Sequence, residues 1–303
     1  MAFQFPRSTR KSSTNLVSTL LTLFFSRHAK GKRLIMVLIA IPLGFLWLDY
    51  DRKEQAKMAY AGVPQTTESG PAYWLRHWRN PGFMVGYSEW RRNALWVTYK
   101  LTAKPQRHSG QRPKHFNIDN RSFMRVSSDD YRNSGFDRGH LAPNYAISSE
   151  YGRSAQLATF KMSNISPQRK NLNQKLWQRL EEVVTNHFLP RHQTLWVITG
   201  PIFDYNITTL KSGVEIPDAF YKIVVKPATD NGPAEAISFV MPQKVKGTEP
   251  LSQYLNSIDQ IEAATGLDFF SQLPDNLENS LEAEPSNGLN WNLKAVNKTR
   301  PRY

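Results

Sequence analysis

Ser134-Gly135-Phe136-Asp137-Arg138-Gly139-His140-Leu141-Ala142-Pro143, followed by Asn164-Ile165-Ser166-Pro167-Gln168 and then Leu172-Asn173-Gln174, is the stretch on which the reading of this chain turns. Asp137, Arg138 and His140 put an acid, a guanidinium and an imidazole within four residues, with glycine at 135 and 139 and proline at 143. An imidazole titrates near neutrality and can act as a general base, and a guanidinium beside it can neutralise a phosphate. Spacing alone suits a surface turn with a charged pair and a hydrogen-bonded histidine equally well. The amides that follow run into a helix from Asn173 to about His187. Leu176, Leu180, Val183 and Val184 recur there at helical spacing, and Leu189-Pro190 is expected to end it. At about 100° per residue, Asn173 and Glu181 lie about 80° apart around such a helix, so both can edge one cleft. An asparagine at a helix start also serves as an N-cap, and a helical glutamate as a solvated charge.

Around this stretch the pattern is mixed. Phe83–Tyr87 and Ala94–Leu101 read as a strand pair across the polar turn Ser88–Asn93. Thr194–Thr199, closed by Gly200-Pro201, reads as a buried strand, with Tyr221–Lys226 and Ile237–Met241 as two more, and Ile258–Thr265 as a second helix. Strands and helices do not alternate regularly, which predicts an α+β fold rather than a doubly wound sheet.

Composition removes several function classes. The 303 residues contain no cysteine, so a disulfide framework, a thiolate metal site and a cysteine nucleophile are excluded. No G-x-G-x-x-G, P-loop, H-E-x-x-H or G-x-S-x-G occurs, and none of the seven histidines forms an i,i+4 pair. The formal charge of +14 favours a polyanionic partner, nucleic acid or anionic lipid. It divides into two equal shares. Residues 1–53 carry nine basic and two acidic residues, +7, and residues 54–303 carry 30 and 23, the other +7.

The N-terminal share precedes an uncharged apolar run of 15 residues, Leu34–Leu48. As a helix it spans roughly 22 Å, short of the ~30 Å hydrocarbon core. A buried core helix and the core of a cleaved signal are alternatives, but small residues suited to cleavage do not follow closely. Lys32, Arg33, Trp47 and Tyr50 would extend the run at its interfaces, and the basic excess would keep the N-terminus cytoplasmic. The expectation is a single-pass inner-membrane anchor with the globular body in the periplasm, or else a mitochondrial inner-membrane protein facing the intermembrane space. The expected divisions are a basic cytoplasmic segment (1–33), a transmembrane anchor (34–50), a linker (51–70), a globular domain (71–273) and a disordered tail (274–303).

Taken together, D-R-G-H, N-I-S-P-Q and L-N-Q-x-x-W-x-x-L-E resemble the DNA/RNA non-specific endonucleases of the ββα-metal superfamily. Asn93–Leu101, Val197–Phe203, Pro217–Val224 and Ile261–Phe270 look like further blocks of that family in family order, so the resemblance covers about residues 58–273. It implies the ββα-metal nuclease fold, with a central antiparallel sheet flanked by helices. The transmembrane helix expected above would precede it. It implies hydrolysis of phosphodiester bonds in DNA and RNA, a histidine-activated water attacking phosphorus in line, one Mg²⁺ (or Mn²⁺) at the scissile phosphate, and 5′-phosphate products. Carried over, His140 is the general base, Asn173 the metal ligand, Glu181 the holder of a water beside the metal and Arg138 the phosphate contact. Asp137 and Asn164 support the geometry. A basic residue that some members carry one helical turn beyond the glutamate is absent, Thr185 standing in that region. A homodimer is also within what the resemblance implies.

Nine Lys/Arg lie between residues 100 and 140: Lys100, Lys104, Arg107, Arg112, Lys114, Arg121, Arg125, Arg132 and Arg138. Contacts of this kind read phosphate and not sequence, so low sequence specificity is expected. The alternative from another class is a non-catalytic, membrane-anchored protein that binds nucleic acid for capture or uptake.

Overall fold

Six strands rich in aromatic and β-branched residues build the central sheet. The computed structural model describes residues 30–103, 110–230, 232–297 and 299, with side chains from residue 38 onward. The chain divides after Lys53 into two compact units. In the second, β1 (Gln65–Thr66) lies apart from the main sheet, which contains β2 (Leu75–Asn80), β3 (Phe83–Ser88), β4 (Asn93–Thr102), β7 (Thr194–Ile202), β8 (Ala219–Lys226) and β9 (Glu235–Pro242). All five pairings are antiparallel, in the order β2-β3-β4-β7-β8-β9. Alternate residues of each strand feed two cores, one on each face. Val97, Val197, Phe220 and Val224 face one, and Trp96, Ile198, Tyr221 and Ile223 face the other. The expected strands at 83–87, 94–101, 194–199, 221–226 and 237–241 all lie in this sheet, and β2 is an additional edge strand.

On the first face, a small two-stranded sheet and a helix carry the stretch that opened the sequence. β5 (Asp137–His140) pairs antiparallel with β6 (Ile165–Gln168), setting Asp137 opposite Gln168 and His140 opposite Ile165. The short helices α2 (Asn144–Tyr151) and α3 (Arg153–Thr159) connect them. Gly139 is required by this pairing, because a Cβ there would stand 2.1 Å from Gln168 Oε1. The following helical segment differs from the expected regular helix. Leu172–Trp177 and Val184–Phe188 are π-helical turns around α4 (Gln178–Val183), and α5 (Leu189–His192) continues past Pro190. A π-helical turn already breaks the i→i−4 ladder, so the missing proline N–H costs little there.

On the second face, α6 (Ile258–Thr265) starts at a Ser257/Gln260 capping box and stops at Gly266 in the left-handed conformation. β10 (Leu267–Asp268) pairs with β1. Ala59 and Val63, within the expected linker, are buried in this core, which ties the segment to the fold. Within the tail, residues 274–297 likewise depart from the disorder that the composition of 274–303 suggests. They form α7 (Asp275–Glu282) and α8 (Leu293–Val296), and Trp291 is buried against Phe188 and His192. One large aromatic with a prepared pocket outweighs a polar, Asn-rich composition.

The expected transmembrane helix requires correction. The first helix, α1 (Lys30–Ala56), is 27 residues long, but among the described residues no helix is long and apolar enough to cross a membrane. The reason is the length of its apolar part. Lys30, Lys32 and Arg33 precede the 15-residue run, and Asp49, Asp51, Arg52, Lys53 and Glu54 occupy the turns that would have to complete a span. The single-pass inner-membrane location, the periplasmic or intermembrane-space placement and the lipid partner built on this helix fall with it. The basic segment 1–29, including the apolar stretch Leu16–Phe25, lies outside the described residues.

Candidate active site

β5, the start of α2 and the helical segment after β6 enclose a cleft of about 450 Å³, lined in part by Arg112, Arg138, His140, Asn173, Glu181 and Thr185. Four of the six expected site residues, His140, Arg138, Asn173 and Glu181, therefore meet in one place. A second groove of about 750 Å³ shares Arg112, Arg138, Asn173 and Gln174 with it and adds Asp137, Lys114 and Arg132.

Local structure explains how each side chain is held. The Asp137 carboxylate accepts hydrogen bonds at Oδ2 from Asn173 Nδ2 (2.9 Å) and Gln174 Nε2 (2.8 Å). Drawing the two amide nitrogens to one carboxylate turns the Asn173 and Gln174 carbonyl oxygens the other way. Asn164 lies outside the cleft and is fully buried. Its Oδ1 accepts from Ala142 N (2.9 Å), and its Nδ2 donates to Ala142 O (3.0 Å) and Thr159 O (2.9 Å). These bonds fasten the chain just after His140, so Asn164 acts on the site through the backbone.

His140 is packed between Phe116 and Phe160, with ring centroids at 5.5 and 4.9 Å. Its Nε2 is enclosed without a hydrogen bond. Burial, reinforced by the nearby Arg112 charge, pulls the imidazole down to about 3. The unfolded chain takes a proton near the ordinary 6.5 that the folded chain refuses, so stability falls as the pH falls through that value. Between pH 7 and 5 the loss is about 2 kcal/mol. Urea denaturation at the two pH values should show the wild type losing about that much more than His140→Ala. Equal losses would show that the imidazole titrates normally.

Two cations face the cleft from different elements. Arg138 lies over the Phe116 ring at 5.3 Å and donates to Ser128 O. Arg112 lies over Phe160 at 5.4 Å. At the position without the family's extra basic residue, Thr185 bonds back to Glu181 O (2.9 Å). Arg112 brings a second positive charge to the same cleft. Burial pushes the Glu181 carboxyl up, and Lys222 and Arg112 oppose that shift. Lys222 is fully buried in β8, its Nζ 4.4 Å from the Trp177 ring centroid.

Arg112, Gln174 and Lys222 are the residues that sequence reasoning did not single out. Lys222 had a signal, because strand alternation sets it on the same buried face as Phe220 and Val224. A lysine there needs a partner. Arg112 had none, being one of nine similar cations. Of those nine, Arg121 is occupied by Asp119 and Asn80, and Lys100 lies over Trp196 on the second face of the sheet. Lys104 and Arg107 lie outside the described residues.

The donor set suits a hard cation. The cleft offers amide oxygens and the carboxylates of Glu181 and Glu182 with no sulfur, and Glu181 Oε1 accepts no hydrogen bond. By contrast, the three-carboxylate group Asp259, Glu262 and Glu282 lies elsewhere.

Residues 71–276 match the DNA/RNA non-specific endonuclease family. The chain belongs to that family. Mitochondrial endonuclease G of Bos taurus is 34% identical over 203 residues, covering 62% of this chain and 66% of that protein. Nuclease C1 of Cunninghamella echinulata is 31% identical over 208 residues, covering 63% and 81%. The nuclease of Serratia marcescens is 31% identical over 156 residues, covering 49% and 56%. Among solved structures, one described as the EndoG/EndoGI complex aligns with a TM-score of 0.61 at 25% identity, over 69% of this chain and 91% of that one. The match thus spans about two thirds of the length of mitochondrial endonuclease G.

Proposed function

We propose that this family member is a metal-dependent endonuclease that hydrolyses phosphodiester bonds of DNA and RNA with little sequence preference. The observation that carries the reading is that the desolvated His140 and Asn173, whose amide nitrogen is held by Asp137, line one cationic cleft. Asn173 would hold the ion, Mg²⁺ or Mn²⁺, with water and substrate oxygens completing its shell and Glu181 accepting from that water. Bound there, the ion would neutralise phosphate charge and stabilise the leaving oxygen.

The chain's own groups supply the rest. Arg138 and Arg112 attract and orient the phosphodiester. With Nε2 enclosed, His140 meets a cleft water through Nδ1 and removes its proton as the water attacks phosphorus. The P–O3′ bond breaks, the 3′ oxygen takes a proton from solvent, and the phosphate stays on the 5′ side. A base at about 3 is weak, but the approaching phosphate offsets Arg112 and raises its proton affinity at the moment of need. The Lys222 charge opposes the burial that pushes the Glu181 carboxyl up. Contacts to phosphate through Arg112, Lys114, Arg132 and Arg138 would hold either nucleic acid by its backbone.

Digestion of DNA and RNA side by side tests the reading. Both should be cut when Mg²⁺ or Mn²⁺ is present, and the DNA fragments should be sealed by a ligase without prior kinase treatment. Fragments that need phosphorylation first would contradict the proposed direction of cleavage.

A further inference from the structure

On the second face of the sheet, away from the cleft, the packing of α6, β10 and α7 gathers five carboxylates: Asp259, Glu262, Asp268, Glu278 and Glu282. One oxygen each from Asp259, Glu262 and Glu282 lies within 4.8 Å of the others. Among the described residues, none of the five has an ion pair or hydrogen bond with a lysine or arginine, in a chain carrying 39 of them. Burial and the neighbouring carboxylates raise the proton affinity of Glu262 and Glu282, and a cation between them would relieve the same repulsion.

The cluster is also built into the fold. Glu282 is 5% exposed, and its Oε1 has no hydrogen-bond partner. Burying a carboxylate oxygen with nothing to accept from is costly, and coordination to an ion would remove that cost. Glu262 Oε1 accepts from Phe269 N at 2.7 Å, which fixes the carboxylate. Ile258 and Ile261 of α6 and Leu281 of α7 are buried in one core, so the ligand-bearing helices are held rigidly. Oxygens within 4.8 Å of one another can share one divalent cation, since two oxygens on opposite sides of Ca²⁺, bound at about 2.4 Å, are about 4.8 Å apart.

We propose that Asp259, Glu262 and Glu282 form a binding site for a hard divalent cation such as Ca²⁺ that joins α6 to α7, separate from the catalytic cleft. Water completes the shell on the exposed Asp259 side. Such an ion would pin α7 to the domain and act on stability, with no part in the chemistry.

The test is Ca²⁺ binding by equilibrium dialysis, using the full chain in the Asn173→Ala background so that the cleft does not contribute. One Ca²⁺ per chain is expected to bind, and to be lost in Glu262→Gln/Glu282→Gln. Thermal melting gives a second readout. Ca²⁺ should raise the Tm of the Asn173→Ala chain and leave the glutamine variant unchanged. That variant removes repulsion, so it should melt at or above its parent when Ca²⁺ is absent. No Ca²⁺ bound by Asn173→Ala, or binding that survives the two glutamines, would overturn the site.

Discussion

His140→Ala is expected to lower kcat by about 10²- to 10⁴-fold, the usual contribution of a positioned general base, while short duplex DNA still binds in EDTA. The expectation follows from how little else near the attacking water could take its proton. Arg112 and Arg138 are cations and Asn173 and Gln174 are amides, so besides His140 the remaining basic groups are the Glu181 and Glu182 carboxylates, of which Glu181 lies near the Lys222 charge. Binding should persist because the phosphate-directed cations are untouched. Removing the ring also leaves a gap between Phe116 and Phe160, so the variant's fold should be checked by its melting transition before rates are compared. Turnover within tenfold of wild type, in a folded variant, would mean that another group is the base.

Asn173→Ala is expected to shift the Mg²⁺ dependence of cleavage to higher concentration. The shift should be at least the 10- to 100-fold that follows from losing a residue that merely supports a metal ligand. Asp137→Ala supplies that comparison. Asp137 does not hold the ion in this account. It holds the two amides, at 2.9 and 2.8 Å, that present their oxygens. Its removal should leave Asn173 free to rotate, giving a smaller shift in the same direction. If Mg²⁺ titrations of Asn173→Ala overlay the wild type, the metal is bound by other residues. If Asp137→Ala exceeds Asn173→Ala, the carboxylate itself is a ligand.

The site was legible in the sequence where its residues are neighbours along the chain. Asp137, Arg138 and His140 share a single short strand, and Asn173 and Glu181 a single helical segment, so spacing and resemblance carried them. What spacing missed comes from elsewhere in the fold. Arg112 reaches the cleft from a loop, and Lys222 acts on Glu181 by its charge from the middle of the central sheet. Their roles depend on which elements pack together, which a residue's immediate neighbours do not specify. The same limit applies to the ends. A polar tail appeared unable to order itself until Trp291 found its pocket beside Phe188, and the expected linker was tied down by Ala59 and Val63. The apolar run at 34–48 was the opposite case. Its hydrophobicity was plain, but its length stopped short of a span. The helix turns also escaped the pattern, since apolar residues near the 3.6-residue period do not distinguish a π-helical turn from an α-helical one. The sheet was readable for a simple reason, namely that its core strands are continuous aromatic and β-branched runs.

The most direct measurement is the conversion of supercoiled plasmid by the purified full chain, with Mg²⁺ and with EDTA, alongside His140→Ala. Nicked and then linear and fragmented DNA should appear with Mg²⁺ in the wild type only, and EDTA should stop the reaction. Plasmid left supercoiled by the wild type in both Mg²⁺ and Mn²⁺ would contradict the account and leave a protein that binds nucleic acid without cutting it.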